Sequence, residues 1–232
     1  MLFGVDDGAR DEDMMRELLD LAVRDGTDAV CFTPHYHPGY YGDNGAQTDA
    51  AFALARQYAA ERYPALRLAL GNELHYDPGA AEWLRAGQAR TLCGSRYVLV
   101  DFRDGEAAFT IDRAMTQLLS LGYTPVLAHV ERYRVLHGRL RSVEDMMTRG
   151  VLMQLDAQSV LGDFGAPTRR MARALLRRGM ADLICSDAHD PVRRPPQLSR
   201  CRALVEQKYG EEYAELLFRD NPERIWNDEP VR

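Results

Sequence analysis

A chain of 232 residues with 46% hydrophobic and 28% charged side chains can bury one substantial core, which excludes disordered and fibrous folds. Lys and Arg total 29 against 35 Asp and Glu, and the resulting charge of -6 lacks the long-range attraction on which non-specific nucleic-acid binding depends. No apolar run approaches the roughly 20 residues of a membrane-spanning helix, and the start, Met1-Leu2-Phe3-Gly4-Val5, is no signal peptide, so a cytoplasmic protein is expected.

The predicted elements alternate between short apolar runs and longer stretches of helical period, the pattern of an α/β domain on a mainly parallel sheet. Residues 11–25 place Met14, Leu18, Leu21 and Ala22 on one face and stop at Gly26, a residue suited to a left-handed helix end. A strand over 28–33 leads into 34–44, rich in Gly, Tyr and His and expected to be an irregular loop above a binding site. Further strands are predicted over 66–70, 97–102, 124–129, 151–155 and 182–186. Between them, Ile111, Met115, Leu118 and Leu119 form a helical stripe ending at Gly122, and Ser142-x-x-Asp145 resembles a capping box opening a helix that ends at Gly150. Met171, Leu175 and Leu176 make the apolar face of a helix whose Arg169, Arg170, Arg173, Arg177 and Arg178 read as a solvated surface. No repeat or long linker divides the chain, so one domain over 1–232 is expected.

Cys31, Cys93, Cys185 and Cys201 are widely spaced, without a CxxC pair and without an Arg six positions on, so neither a zinc knuckle nor a cysteine-nucleophile phosphate loop is present. The informative regularity lies elsewhere. His35 and His37 follow the first predicted strand, Glu73 and His75 the second, Asp101 lies in the third, His129 ends the fourth, and Asp187 and His189 follow the last. In parallel α/β folds the carboxyl ends of the strands meet on one face, so these side chains converge. Imidazoles and carboxylates without thiolate suit Mn, Fe, Zn or Mg. Arg132, three residues past His129, and Arg194, five past His189, add planar donor forks matched to phosphate oxygens.

Taken in order, Val5-Asp6-Asp7-Gly8-Ala9, Thr33-Pro34-His35, Gly71-Asn72-Glu73, Tyr97-Val98-Leu99-Val100-Asp101-Phe102, Ala128-His129-Val130-Glu131-Arg132-Tyr133 and Ser186-Asp187-Ala188-His189 resemble the PHP superfamily. The match is closest to its CpsB/CapC (YwqE-like) branch of bacterial metal-dependent protein-tyrosine phosphatases, and it spans essentially the whole chain. The resemblance implies a distorted (β/α)7 TIM-like barrel with up to three divalent ions, commonly manganese, at its mouth. It implies that Asp7, His35 and His189 hold one metal, that Glu73, Asp101 and His129 hold a second, and that Glu73 also bridges to a remaining metal that shares Asp187. Arg132 and Arg194 match the family's phosphate-binding arginines. The implied substrate is the phosphotyrosine tail of a bacterial tyrosine kinase governing capsule or exopolysaccharide synthesis.

Two departures from the family pattern stand out. The superfamily begins with a His-x-His pair on its first strand, and here the chain starts at Met1 where the second histidine should have ended, so fewer ions and an N-terminally shortened domain without its first strand are expected. Asp101 stands where the branch has Glu, one methylene shorter and about 1 Å less in reach. The expected chemistry is attack by a metal-activated hydroxide, since a bound metal lowers the pKa of its water towards about 7. Tyrosinate, with a pKa near 10, is a tolerable leaving group. Tyr36, Tyr40 and Tyr41 are candidates to stack on the substrate ring. The rival readings are histidinol-phosphate hydrolysis within the superfamily, or a non-catalytic module that binds the kinase or its phosphotyrosine.

Overall fold

Thr33-Pro34 and Gly71-Asn72 interrupt two extended stretches, because proline offers a sheet no N–H and glycine no side chain to pack. In the computed structural model, which describes residues 1–231, both stretches are split at these points. β1 (Ala29–Phe32) and β2 (His35–Tyr36) flank the first break, and β3 (Arg67–Leu70) and β4 (Glu73–His75) flank the second. β1 pairs in parallel with β3 as a two-stranded sheet, Ala29 opposite Arg67. β2 and β4 instead enter a six-stranded parallel sheet with β5 (Tyr97–Asp101), β6 (Thr124–Leu127), β7 (Leu152–Asp156) and β8 (Leu183–Cys185), in the order β2-β4-β5-β6-β7-β8. The breaks are stitched across: the Gly71 N–H donates to the Phe32 carbonyl at 2.8 Å, and the Asn72 side-chain amide donates to the Pro34 carbonyl at 2.9 Å. A Cβ at position 71 would lie 3.0 Å from the Leu92 Cα, so the close approach of these segments requires glycine.

Helices wrap the outer face. α1 (Glu12–Arg24) is capped by the Asp11 carboxylate, which accepts from the Met14 N–H, and it buries Met14, Met15, Leu18, Leu19 and Ala22. These pack with Phe32 and with Ala51 and Ala55 of α3 (Gly45–Arg62), which follows the short α2 (Pro38–Tyr41). The main core lies between β4 to β8 and the helices α4 (Ala80–Arg85), α5 (Ala108–Ser120), α6 (Leu140–Thr148), α7 (Ala157–Leu161), α8 (Ala166–Leu176) and α9 (Ser199–Tyr209). α10 (Glu211–Glu215) and α11 (Asn221–Trp226) finish the chain; Ile225 and Val231 fill the inner face of the curl with Leu92, Tyr97, Val126, Leu152 and Leu183.

The sheet curls without closing. Among the described residues β1 and β8 each carry an unpaired edge, residues 1–11 form no strand, and a cavity of about 1070 Å³ is lined by both edges. The architecture is thus the half-barrel form of the expected distorted barrel.

The predicted strand positions agree to within two residues, but 34–44 is no loop: it contains β2 and α2. Nor does Ser142 cap α6. That helix starts at Leu140 without a side-chain cap, because its position is fixed by burial of Val143 and Met146 and places Ser142 inside the first turn.

Across the open side, Asp25 at the end of α1 caps α9 at long range. Its carboxylate accepts from the backbone N–H groups of Leu198 at 2.6 Å and Ser199 at 2.9 Å, and from the Ser199 hydroxyl. Asp25→Ala is expected to lower stability by about 1 kcal/mol, the usual cost of a lost cap, measured by urea denaturation.

Candidate functional site

All strands being parallel, their carboxyl ends share one rim, and the ionisable side chains singled out in the sequence stand there. His35 starts β2, Glu73 and His75 lie on β4, and Asp101 ends β5. His129 follows β6, while Asp187 and His189 follow β8. His35, Glu73, His129, Asp187 and His189 line the same cavity. His129 and Asp187 have φ values of 34° and 47°, left-handed backbone that a side chain tolerates at a cost of order 1–3 kcal/mol and that turns each one back over the rim.

Two triplets each bring one ligand atom per residue within 4.8 Å of the others: Asp7, His35 and His189, and His35, Glu73 and Asp101. His35 belongs to both. Its Nδ1 is 3.3 Å from Asp7 and its Nε2 3.7 Å from Glu73. His189 Nε2 lies 3.6 Å from Asp7. His129 stands beside the second triplet, its Nε2 2.8 Å from Glu73, and Asp187 stands beside the first, 3.6 Å from His189 Nδ1.

The electrostatics fit a cation. Glu73 and Asp101 are only 4% and 8% exposed, yet their ion-pair partners among the described residues are imidazoles alone: His35 and His129 for Glu73, His75 for Asp101. Carboxylates taken out of water at this depth are costly without positive charge. Burial opposes protonation of His35, but its bonds to Asp6 and Asp7 outweigh that and push its pKa up to about 12. His129 rises to about 9 against its own burial through its bond to Glu73. Bonds from His189 and His35 hold the Asp7 carboxyl far below the usual range. Protons thus hold the acids together, and a divalent cation among these oxygen and nitrogen donors would replace them. The donor set contains no thiolate, which fits the harder and borderline ions.

The two arginines meet on one acid. Arg132 Nη1 is 3.2 Å from Asp187, and the Arg194 guanidinium also donates to Asp187. Arg132 is held from below by Asp156, fully buried, at 3.3 Å, and from the side by the Phe164 ring, 5.4 Å from its Cζ. The cluster is therefore continuous from Asp101 through Glu73, His35, Asp7 and His189 to Asp187 and the two guanidiniums.

Several contributors were not singled out in the sequence. Asp6 accepts from the His35 N–H at 2.8 Å and lies 3.2 Å from its Nδ1, so the imidazole presents Nε2 towards Glu73. His75, which the sequence did single out, lies 3.0 Å from both oxygens of Asp101, engaging one of the expected ligands. Gln154 accepts from the His129 N–H and donates to Asp156 at 3.1 Å, tying the end of β6 to the arginine's support. Asp156 and Gln154 sit on β7, buried throughout, where alternation gives no signal for a polar role. Of the tyrosines, Tyr36 is buried against Trp83 and Tyr41 stacks on His35, while Tyr40 leaves its ring 69% exposed.

A parallel half-barrel with such a cluster at its rim defines a PHP-type hydrolase fold. The profile described as "Capsular polysaccharide synthesis, CpsB/CapC" matches residues 1–227, and the chain belongs to that family. It is 30% identical over 236 residues to the tyrosine-protein phosphatase CpsB of Streptococcus pneumoniae, covering 100% of this chain and 97% of that protein. It is 27% identical to the tyrosine-protein phosphatase YwqE of Bacillus subtilis (strain 168), covering 95% and 89%. Among solved structures it superposes with a TM-score of 0.90 at 24% identity, over 98% of this chain and 92% of the other, on one described as "Crystal structures of YwqE from Bacillus subtilis and CpsB from Streptococcus pneumoniae, unique metal-dependent tyrosine phosphatases".

Because His35 serves both triplets, His35→Ala is expected to lower divalent-cation affinity by about 100-fold or more, above the usual effect of residues that only support a ligand. Metal retained after dialysis, read by elemental analysis, checks this; His75→Ala should lose less.

Proposed function

We propose that this chain is a metal-dependent phosphatase that removes phosphate from phosphotyrosine in proteins. The observation that carries the reading is the meeting of Arg132 and Arg194 on Asp187, beside two potential metal triplets that share His35. Asp7, His35 and His189 would hold one cation. Glu73 and Asp101, with His129 beside them, would hold another, with manganese the first candidate and Fe, Zn and Mg the alternatives. A divalent ion bound there supplies an acidified water and polarises the phosphoryl oxygens.

The chain's own groups do the rest. The guanidiniums of Arg132 and Arg194 bind non-bridging oxygens of the phosphoryl group, and Asp156 keeps Arg132 from swinging out as its share of Asp187 passes to the substrate. Charge developing in the transition state is met by donors already in place, in a setting more apolar than water. The leaving tyrosinate places little demand on a general acid. No thiol belongs to either triplet; Cys201 is fully buried, and burial pushes Cys185 up to about 12.

The reading is supported by the relatives in Streptococcus pneumoniae and Bacillus subtilis, each a tyrosine-protein phosphatase. The substrate proposed is the tyrosine-phosphorylated tail of a bacterial tyrosine kinase in the cytoplasm. No helix among the described residues is long and apolar enough to cross a membrane.

Arg132→Ala is expected to lower kcat/KM on a phosphotyrosyl peptide by about 10²–10³-fold while metal content stays near wild type, the usual loss for one charge-stabilising donor. Steady-state kinetics with parallel metal analysis checks both halves, and full activity in the variant would remove the arginine from the phosphate site. EDTA should abolish turnover and Mn²⁺ restore it. Alkylating accessible thiols on the folded protein should leave turnover intact.

A further inference from the structure

The arginine-rich helix α8 plays no part in the chemistry above, yet its placement gives it a use. Residues 164–181 contain five arginines and no acidic residue, in a chain whose net charge is -6. At 100° per residue, Arg169, Arg170, Arg173 and Arg177 fall within a sector of about 100°. The opposite face, Met171, Ala172, Leu175 and Leu176, is buried in the core. None of these guanidiniums is ion-paired among the described residues, whereas Arg132 and Arg194 at the mouth each hold Asp187. The buried Arg173 Nε has no hydrogen-bond acceptor at all.

This face starts at the phosphate site. α8 follows β7 through the short α7, and it packs against the turn Val130–Arg132 that carries Arg132. Arg169 folds back over Gly162, its Cδ 2.8 Å from where a Cβ would stand, and two residues further on the Phe164 ring covers Arg132. The first turn of α8 has no acidic residue and no side-chain cap, so its free N–H groups add to the positive field. Guanidiniums therefore run from Arg194 and Arg132, which share Asp187, past the exposed Asp163 and down the wall for about 12 Å, the rise from 169 to 177, or about four residues of extended chain.

We propose that the arginine face of α8 docks an acidic polypeptide segment flanking the phosphotyrosine held at the mouth, an inference that rests on the phosphatase reading above. A polypeptide is the occupant favoured because the strip is continuous with the site that receives the phosphotyrosine and is one extended chain wide. The net negative charge of the rest of the surface disfavours a broad anionic partner.

The test uses the metal-loaded full chain and peptides with one phosphotyrosine and four Glu on either its N-terminal or its C-terminal side, against versions with Gln in place of Glu. At about 50 mM NaCl one Glu-flanked peptide is expected to show a KM about tenfold below its Gln partner with kcat unchanged, and the difference should vanish at about 0.5 M. The Glu/Gln ratio, taken within one protein so that changes at the mouth cancel, should fall below about twofold in Arg170→Gln/Arg177→Gln and persist in Arg170→Lys/Arg177→Lys. Fluorescence anisotropy of a labelled, unphosphorylated Glu-flanked peptide reads the strip without turnover. Salt-sensitive binding that the Gln variant loses supports the strip even if no phosphopeptide is cleaved, which separates its fate from that of the phosphatase reading. Equal KM values for Glu and Gln peptides in the wild type, with no binding of the labelled peptide, overturn the proposal. Binding to phosphatidylglycerol vesicles but not to the peptide also overturns it, and assigns the face to a lipid surface.

Discussion

The rim is organised around buried negative charge. Glu73, Asp101 and Asp156 are each less than a tenth exposed, and beside them the fold places imidazoles and a guanidinium. A carboxylate at such depth survives only when its charge is answered nearby. Much of what is unusual in the local backbone serves that requirement: the left-handed turns at His129 and Asp187, the split strands that set His35 opposite Glu73, and the glutamine on β7 that holds His129 by its N–H.

The same requirement explains what could be read from the sequence. Parallel sheets bring strand ends together, so the recurrence of His, Asp and Glu just after apolar runs points to a shared pocket, and Glu73, His129 and Asp187 line one. The strands carrying hydrophobic runs were equally legible. β2 and β4 were not, because segments of two and three residues lack the length for a periodic signal, and their polar residues read as loop. Asp6 and Asp7 adjoin in sequence, and only the fold shows that the buried one orients His35 while the exposed one reaches His189.

β7 is the clearest limit of pattern reading. All five of its residues are buried, so Gln154 and Asp156 sit within what reads as a core strand. Their role appears only when His129 and Arg132 arrive from the preceding strand. Arg132 was marked by its place after His129, but the support it receives from Asp156, Asp187 and Phe164 was not. Sequence pattern locates the strand ends, while the supporting residues beneath them depend on contacts between segments remote in the chain.

The gap between β1 and β8 gives the molecule a seam. Among the described residues no backbone ladder crosses it, and the Asp25 carboxylate reaches over to the N–H groups of Leu198 and Ser199. The triplet of Asp7, His35 and His189 straddles this seam, two members on one bank and one on the other. A cation seated there would act as a rivet between the two open edges of the curl, so its closure and the filling of its mouth would share one dependence on the free concentration of the ion.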